Sequence, residues 1–206
     1  MKVTVVMPCY GRPKRTIRAI ESLIAQDMEG WEAIIRGDDC PVFQELIDNG
    51  YLEKAKAYCE KKGNILDYAQ HKPRSGAHGF EIINKAIEDA KGEYFTFFAN
   101  DDVLEVNHLG NYYRGVQGYD YAYYNSWVDP IDQKRVPSLS PCLIGHSEII
   151  VKTELARKCG KHKNVYGHDW DFINEIIQLG KGIYIDGEPT YKIMHVPAYG
   201  TKDKIN

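Results

Sequence analysis

Four places in the chain set charged or hydrogen-bonding side chains where chemistry would use them. Asn100-Asp101-Asp102 follows the hydrophobic run Tyr94-Phe95-Thr96-Phe97-Phe98. Adjacent carboxylates repel unless a cation or donors offset them. Hard oxygens of this kind suit Mg²⁺ or Mn²⁺, which bind substrate phosphates through one or two carboxylates. Capping of the next turn is the alternative. Gly37-Asp38-Asp39 closes another apolar run, where a carboxylate accepts from a nucleobase or ribose, or else closes an Asx-turn. His168-Asp169-Trp170-Asp171 opens a helix. The macrodipole favours acids there, and a carboxylate beside an aromatic wall can also take a proton from a hydroxyl. His195 follows the strand-like Tyr191–Met194 and reads as a ligand or as a structural histidine.

The elements that must position these groups alternate in period. Val3–Met7, Glu32–Arg36, Asn64–Gln70 and Glu93–Phe98 are short apolar or β-branched runs, as buried parallel strands usually are. Between them lie helical patterns. Lys14–Gln26 sets Ile17, Ile20, Leu23 and Ile24 on one face behind Pro13. Val42–Lys62 carries a break at Gly50, and Phe80, Ile83, Ala86, Ile87 and Ala90 form a third stripe. This β-α-β-α-β-α-β order predicts a mostly parallel sheet with helices on both faces. Ligands of such sheets bind beyond the carboxyl ends of the strands, where Cys9–Arg12, Gly37–Cys40 and Asn100–Asp102 all fall. The second half is less regular, with a tyrosine-rich strand region near Tyr119–Trp127 and a helix at Asp171–Leu179. Most of its tyrosines should pack the sheet. The basic run Arg157, Lys158, Lys161, His162 and Lys163 reads as a solvated loop.

A chain of 206 residues with 43% hydrophobic and 27% charged residues can bury a self-sufficient core as one domain. No apolar run approaches the ~20 residues that a bilayer span requires. The N-terminus opens straight into strand-like sequence, without the charged leader of a secreted chain. Five cysteines in no C-x-x-C pair suit a reducing cytoplasm rather than a disulfide or zinc framework. A net charge of −3 gives no global attraction for nucleic acid.

Taken in order, these segments resemble the non-processive inverting glycosyltransferases of family 2, which have the GT-A fold. The segments VTVVMPCYGRP, WEAIIRGDDC, HGFEIINKAIEDAKGEYFTFFANDDVLEVNHL, HDWDFINEIIQLGKGIYI and YKIMHVP carry the likeness. They cover nearly the whole chain except about residues 112–141. The resemblance implies a metal-dependent transfer of one sugar from a nucleoside-diphosphate sugar, a UDP-sugar first, to a hydroxyl acceptor that is a glycan, lipid-linked or other. It implies Mn²⁺ or Mg²⁺ as cofactor, a donor-binding half over 1–104 and an acceptor-binding half over 105–206. Pro8, Tyr10 and Arg12 would line the base and ribose, Asp39 with Asp38 would meet the base, and His78 would stand near the nucleotide. Asn100 would face the ribose. Asp101 would take the metal with His195, Asp102 being the second choice for that position. Asp169 would be the general base, and Asp171 would cap its helix.

Three positions depart from the family pattern. Ala99 replaces the first acid of Asp-x-Asp, His168 the common glutamate beside the base, and Gly11 the asparagine of the first loop. Two alternatives stand beside the transferase: a nucleotidyltransferase with similar sheet topology, and a catalytically silent sugar-nucleotide or glycan-binding module. The first would want a Gly- and Lys/Arg-rich phosphate loop, which Gly11–Arg15 matches only in part. Ala99 keeps the second open.

Overall fold

A computed structural model describes residues 1–76, 79–165 and 167–195. The strands are β1 (Val3–Cys9), β2 (Trp31–Asp38), β3 (Ile65–His71), β4 (Tyr94–Phe97), β5 (Val103–Leu104), β6 (Tyr121–Tyr124), β7 (Ser126–Val128), β8 (Gln133–Arg135), β9 (Ile149–Lys152), β10 (Gly182–Ile185) and β11 (Tyr191–Ile193). The α-helices are α1 (Pro13–Ile24), α2 (Pro41–Asp48), α3 (Tyr51–Lys61), α4 (Phe80–Asp89), α5 (His108–Gly115), α6 (Thr153–Lys158) and α7 (His168–Leu179).

Seven strands form the main sheet in the order β10-β6-β9-β4-β1-β2-β3. Strands β1, β2, β3 and β4 run parallel, as do β6 and β10, and β9 alone runs antiparallel to both its neighbours. Alternation with period 2 sends the strand residues into two apolar layers. Val5, Met7, Ala33 and Ile35 join Ala19, Ile20 and Leu23 of α1 on one face. Val6, Ile34, Phe95 and Phe97 join Ile82, Ile83 and Ala86 of α4 and Phe172, Ile173 and Ile176 of α7 on the other.

A second sheet, β5-β11-β7-β8, closes one corner. Its pairing of β11 against β5 sets Tyr191 opposite Leu104 and Lys192 opposite Val103. The residues after β11 therefore run back alongside Asp101 and Asp102. Antiparallel register alone delivers His195 to the acid pair.

The break expected at Gly50 is present, parting Val42–Lys62 into α2 and α3, and its φ of +73° favours glycine. Several expectations need correction. The tyrosine-rich stretch splits into β6 and β7, which belong to different sheets. Strands β9 and β10 and helices α5 and α6 carried no legible period, and α7 starts at His168. The run from Arg157 to Lys163 is not simply solvated. Arg157 donates to the carbonyls of Ile87, Glu88 and Ala90, closing the end of α4, and His162 is buried. Tyrosine packing is as expected, with Tyr112 and Tyr124 stacked at 3.9 Å. No helix among the described residues is long and apolar enough to cross a membrane. All five cysteines are free thiols.

Candidate active site

The carboxyl ends of β1, β2 and β4 open on a cleft of about 760 Å³ lined by Pro8, Tyr10, Arg12, Asp38, Asn100 and Asp101 among others. A cavity of this size suits a ligand larger than a single sugar.

One corner is acidic. Asp102 is buried and fully engaged: Tyr191 donates its hydroxyl to Oδ2 at 2.7 Å, and the Met194 N–H donates to Oδ1 at 2.9 Å. His195 Nδ1 lies 3.4 Å from Asp102 Oδ1 and 3.7 Å from Asp101 Oδ2. The neighbouring Asp102 carboxylate raises the His195 pKa above its usual value, against partial desolvation. Asp101 is met from the cleft side by Arg12 at 2.7 Å and Arg15 at 3.7 Å. Arg18 donates to its carbonyl. Like-charge repulsion is thus offset by internal donors and by half-exposed cationic side chains, and neither acid acts as a cap.

A metal fits this corner. Ligand atoms from Asp101, Asp102 and His195 lie within 4.8 Å of one another. Two hard carboxylates and one imidazole are a donor set for Mn²⁺ or Mg²⁺. Each carboxylate oxygen keeps a second lone pair beside its hydrogen bond. Arg12, about half exposed on the side chain, stands on the Asp101 oxygen that a cation would claim.

The opposite wall is built for an aromatic, polar guest. Asp38 Oδ1 accepts the Ser75 N–H at 2.6 Å, so it is pinned by a distant loop rather than by an Asx-turn. Arg74 lies 3.7 Å above the exposed Tyr10 ring. Asp39 takes a positive φ of 48°, is exposed, and approaches Lys72 at 3.9 Å. The cleft wall is therefore Asp38, while Asp39 is not among its lining residues. Asn100 lines the cleft but commits its amide to Thr16 Oγ1 at 2.9 Å, which ties the strand end to α1. Gly79, at the start of α4, has φ of +73°, and a Cβ there would sit 2.6 Å from the Pro8 side chain. Only glycine allows that approach. His78 lies outside the described residues.

Helix α7 starts with His168 and Asp169. Asp169 is half-buried, and its Oδ1 accepts the Trp170 N–H at 2.9 Å. Asp171 is exposed at the fourth helical position, past the free N–H groups of the first turn. The acid that bonds a first-turn N–H is Asp169, not Asp171.

Sequence reasoning missed a second corner, where His146, His162 and His168 converge. His146 lines the cleft and stacks on Phe97 at 4.3 Å, and His162 packs on Phe172 at 4.5 Å. Burial drives the His162 pKa down to about 3, with His168 adding to the effect. No local pattern announces this cluster, because its members come from two loops and a helix start.

The Glycosyl transferase family 2 profile matches residues 4–170. The chain belongs to glycosyltransferase family 2. That membership sets aside the nucleotidyltransferase reading. Among curated relatives, a protein of Escherichia coli (strain K12) named as a colanic acid biosynthesis glycosyl transferase, WcaA, is 33% identical over 107 residues, 52% of this chain and 35% of its own. Glycosyltransferase GlyG of Streptococcus pneumoniae serotype 4 (strain ATCC BAA-334 / TIGR4) is 26% identical over 57% of this chain and 36% of its own. The chain thus spans about a third of the length of these relatives. Among solved structures, S. aureus TarS 1-349 in complex with UDP-GlcNAc superposes with a TM-score of 0.73 at 17% identity, over 96% of this chain and 60% of that one. Mannosyltransferase PcManGT from Pyrobaculum calidifontis, in complex with GDP-Man and Mn²⁺, gives 0.69 at 16% identity, over 97% and 58%. The family 2 chain therefore has the GT-A fold in a single domain.

Proposed function

We propose that this family 2 domain transfers one sugar, with inversion, from a nucleoside-diphosphate sugar to a hydroxyl acceptor, using Mn²⁺ or Mg²⁺. The observation that carries the reading is the Asp101–Asp102–His195 corner on a cleft of about 760 Å³, with Asp38 on the facing wall. Residues 1–104 supply most of the donor side and residues 105–206 the acceptor side. A UDP-sugar is the first choice of donor, since TarS is complexed with UDP-GlcNAc. The five free thiols suit a cytoplasmic site of action.

Each residue then has a task. Tyr10, with Arg74 stacked on it, flanks the base, Pro8 shapes its floor, and Asp38 accepts from its edge, with Asp39 at the rim. Arg12 swings from Asp101 to the donor diphosphate. Asp101, Asp102 and His195 would hold the metal, which when bound offsets charge developing on the leaving diphosphate. Asn100 holds the strand end against α1. Asp169 takes the proton of the acceptor hydroxyl, the step that lets a poor nucleophile attack the anomeric carbon directly. His78 lies outside the described residues, and its assignment to the nucleotide rests on the family resemblance alone.

The test is a melting-temperature series with UDP, GDP and dTDP, each with Mn²⁺ and with chelator, followed by product analysis with the matching sugar donors. Stabilisation by one nucleotide that needs the metal, and a product of inverted anomeric configuration, would support the reading. Equal stabilisation with chelator would remove the metal. Tight donor binding without turnover in the presence of acceptor extracts would favour a silent binding module.

A further inference from the structure

The three histidines of the second corner come from separate segments: His146 from the turn before β9, His162 from the loop after α6, and His168 from the first turn of α7. A ligand nitrogen from each lies within 4.8 Å of the other two. His146 Nε2 and His162 Nε2 are 2.9 Å apart. Two neutral imidazoles at that distance share either a proton or a cation.

Asn84 bears on which. Its Nδ2 donates to the His162 carbonyl at 2.9 Å, and its Oδ1 accepts the His162 backbone N–H at 2.8 Å. That two-sided clamp fixes which end of the amide is oxygen. The same Oδ1 lies 3.3 Å from His162 Nδ1, which places the imidazole proton on Nδ1 and leaves the Nε2 lone pair facing the other two rings. An amide oxygen on the outer ring nitrogen, with the inner one aimed at a common centre, is how proteins orient metal-ligating histidines. Aromatic side chains complete the shell. Phe97 stacks on His146, and Phe172 packs against both His146 and His162.

We propose that His146, His162 and His168 form a second cation site, distinct from the acidic corner and selective for Zn²⁺ or a similar nitrogen-seeking divalent ion. Three imidazoles and no carboxylate are a poor set for Mg²⁺ and a good one for Zn²⁺ or Co²⁺. His162 and His168 are each 4% exposed, whereas His146 borders the cleft, which gives the ion its entry and leaves a fourth position toward solvent. The bound ion ties the turn before β9, the loop after α6 and the start of α7 to one point. Because Asp169 follows His168 directly, the ion fixes the helix start that presents the proposed base. The site does not depend on the transferase reading.

The experiment uses the full chain without a histidine tag, stripped with chelator and held in excess Mg²⁺ to occupy the oxygen-rich corner. Co²⁺ is titrated in while visible absorption is followed, and Zn²⁺ is then added to displace it. We expect one equivalent of Co²⁺ with the intense bands of a nitrogen-ligated, low-coordinate ion. His162→Gln and His146→Gln should each weaken binding more than about 100-fold, and Asn84→Ala about 10–100-fold. Asp101→Ala should leave it unchanged. His146→Gln, half-exposed at the cleft, keeps the test sound if the buried variant does not fold. Absorption equal to that of His146→Gln, or binding lost in Asp101→Ala and kept in the histidine variants, would overturn the proposal and leave a packed cluster of neutral rings.

Discussion

The cleft has two corners built on opposite electrostatic plans. At the acidic corner, buried Asp102 is held by fixed donors, the Tyr191 hydroxyl and the Met194 N–H, while the half-exposed Arg12 and Arg15 lie over Asp101. At the imidazole corner, three rings gather beside Phe97 and Phe172, with one amide setting the tautomer of His162. The first corner is held by charge and by fixed donors. The second is held by burial and suppresses charge. Phe97 and Ala99, two residues apart at the end of β4, both line the cleft between them. With both proposed sites filled, one strand end would serve a hard cation and a borderline one, because selectivity resides in the donor atoms rather than in the distance between sites.

Asp169→Asn tests the link between the corners and should have the largest effect. A positioned base is worth about 10²–10⁴-fold in rate, so kcat should fall by that factor while nucleotide with Mn²⁺ still raises the melting temperature. Near-normal kcat would move the base elsewhere. Phe97→Ala comes next. It removes the ring between His146 and Phe172, and should cost about 3–5 kcal/mol in urea unfolding. It should also weaken Co²⁺ binding at the imidazoles while sparing nucleotide-linked Mn²⁺ binding. Loss of both in a folded variant would mean the corners are one site.

His108 provides an imidazole outside both corners. It bonds Thr190 at 2.9 Å, and burial lowers its pKa to about 3. Below about pH 6.5 the unfolded chain takes a proton that the folded one refuses until about pH 3. Stability must therefore fall as pH drops through that window, by up to about 1.4 kcal/mol per unit. Urea midpoints at several pH values should show a shallower slope for His108→Gln, and Zn²⁺ should not change the difference. The smallest effect belongs to Arg12→Ala. Arg12 is half exposed, and Arg15 stays beside the buried Asp101 in its absence, so stability should move little. Mn²⁺ should bind a few-fold more tightly once the guanidinium no longer covers Asp101, which calorimetry can measure in the absence of nucleotide.

The two corners also differ in how far they could be read in advance. Asp101, Asp102 and Asp38 were legible because each ends a buried strand, and strand ends are where parallel sheets bind ligands. Pro13 at the first turn of α1 and the stripe of α4 were legible for the same local reason. Asp38 rather than Asp39 on the wall was not, because it turns on a backbone bond from Ser75, 37 residues away. His162 sat among Lys158, Lys161 and Lys163, and its neighbours' charge disguised its burial. Strand β9 is the short run Ile-Ile-Val-Lys, whose antiparallel direction has no local signature.

That single reversed strand has a consequence for how the chain is made. Until Ile149–Lys152 has been synthesised, β4 lacks its second neighbour, and the pairing sites of β6 are also unfilled. A nascent chain with only the donor half therefore displays an apolar, hydrogen-bond-hungry edge at Tyr94–Phe97, the kind of edge that recruits other chains. The proposed division at residue 104 concerns binding and not what can fold by itself. The sheet is sewn shut late, by a stitch of four residues, and any attempt to exchange acceptor halves between relatives would have to carry that stitch along.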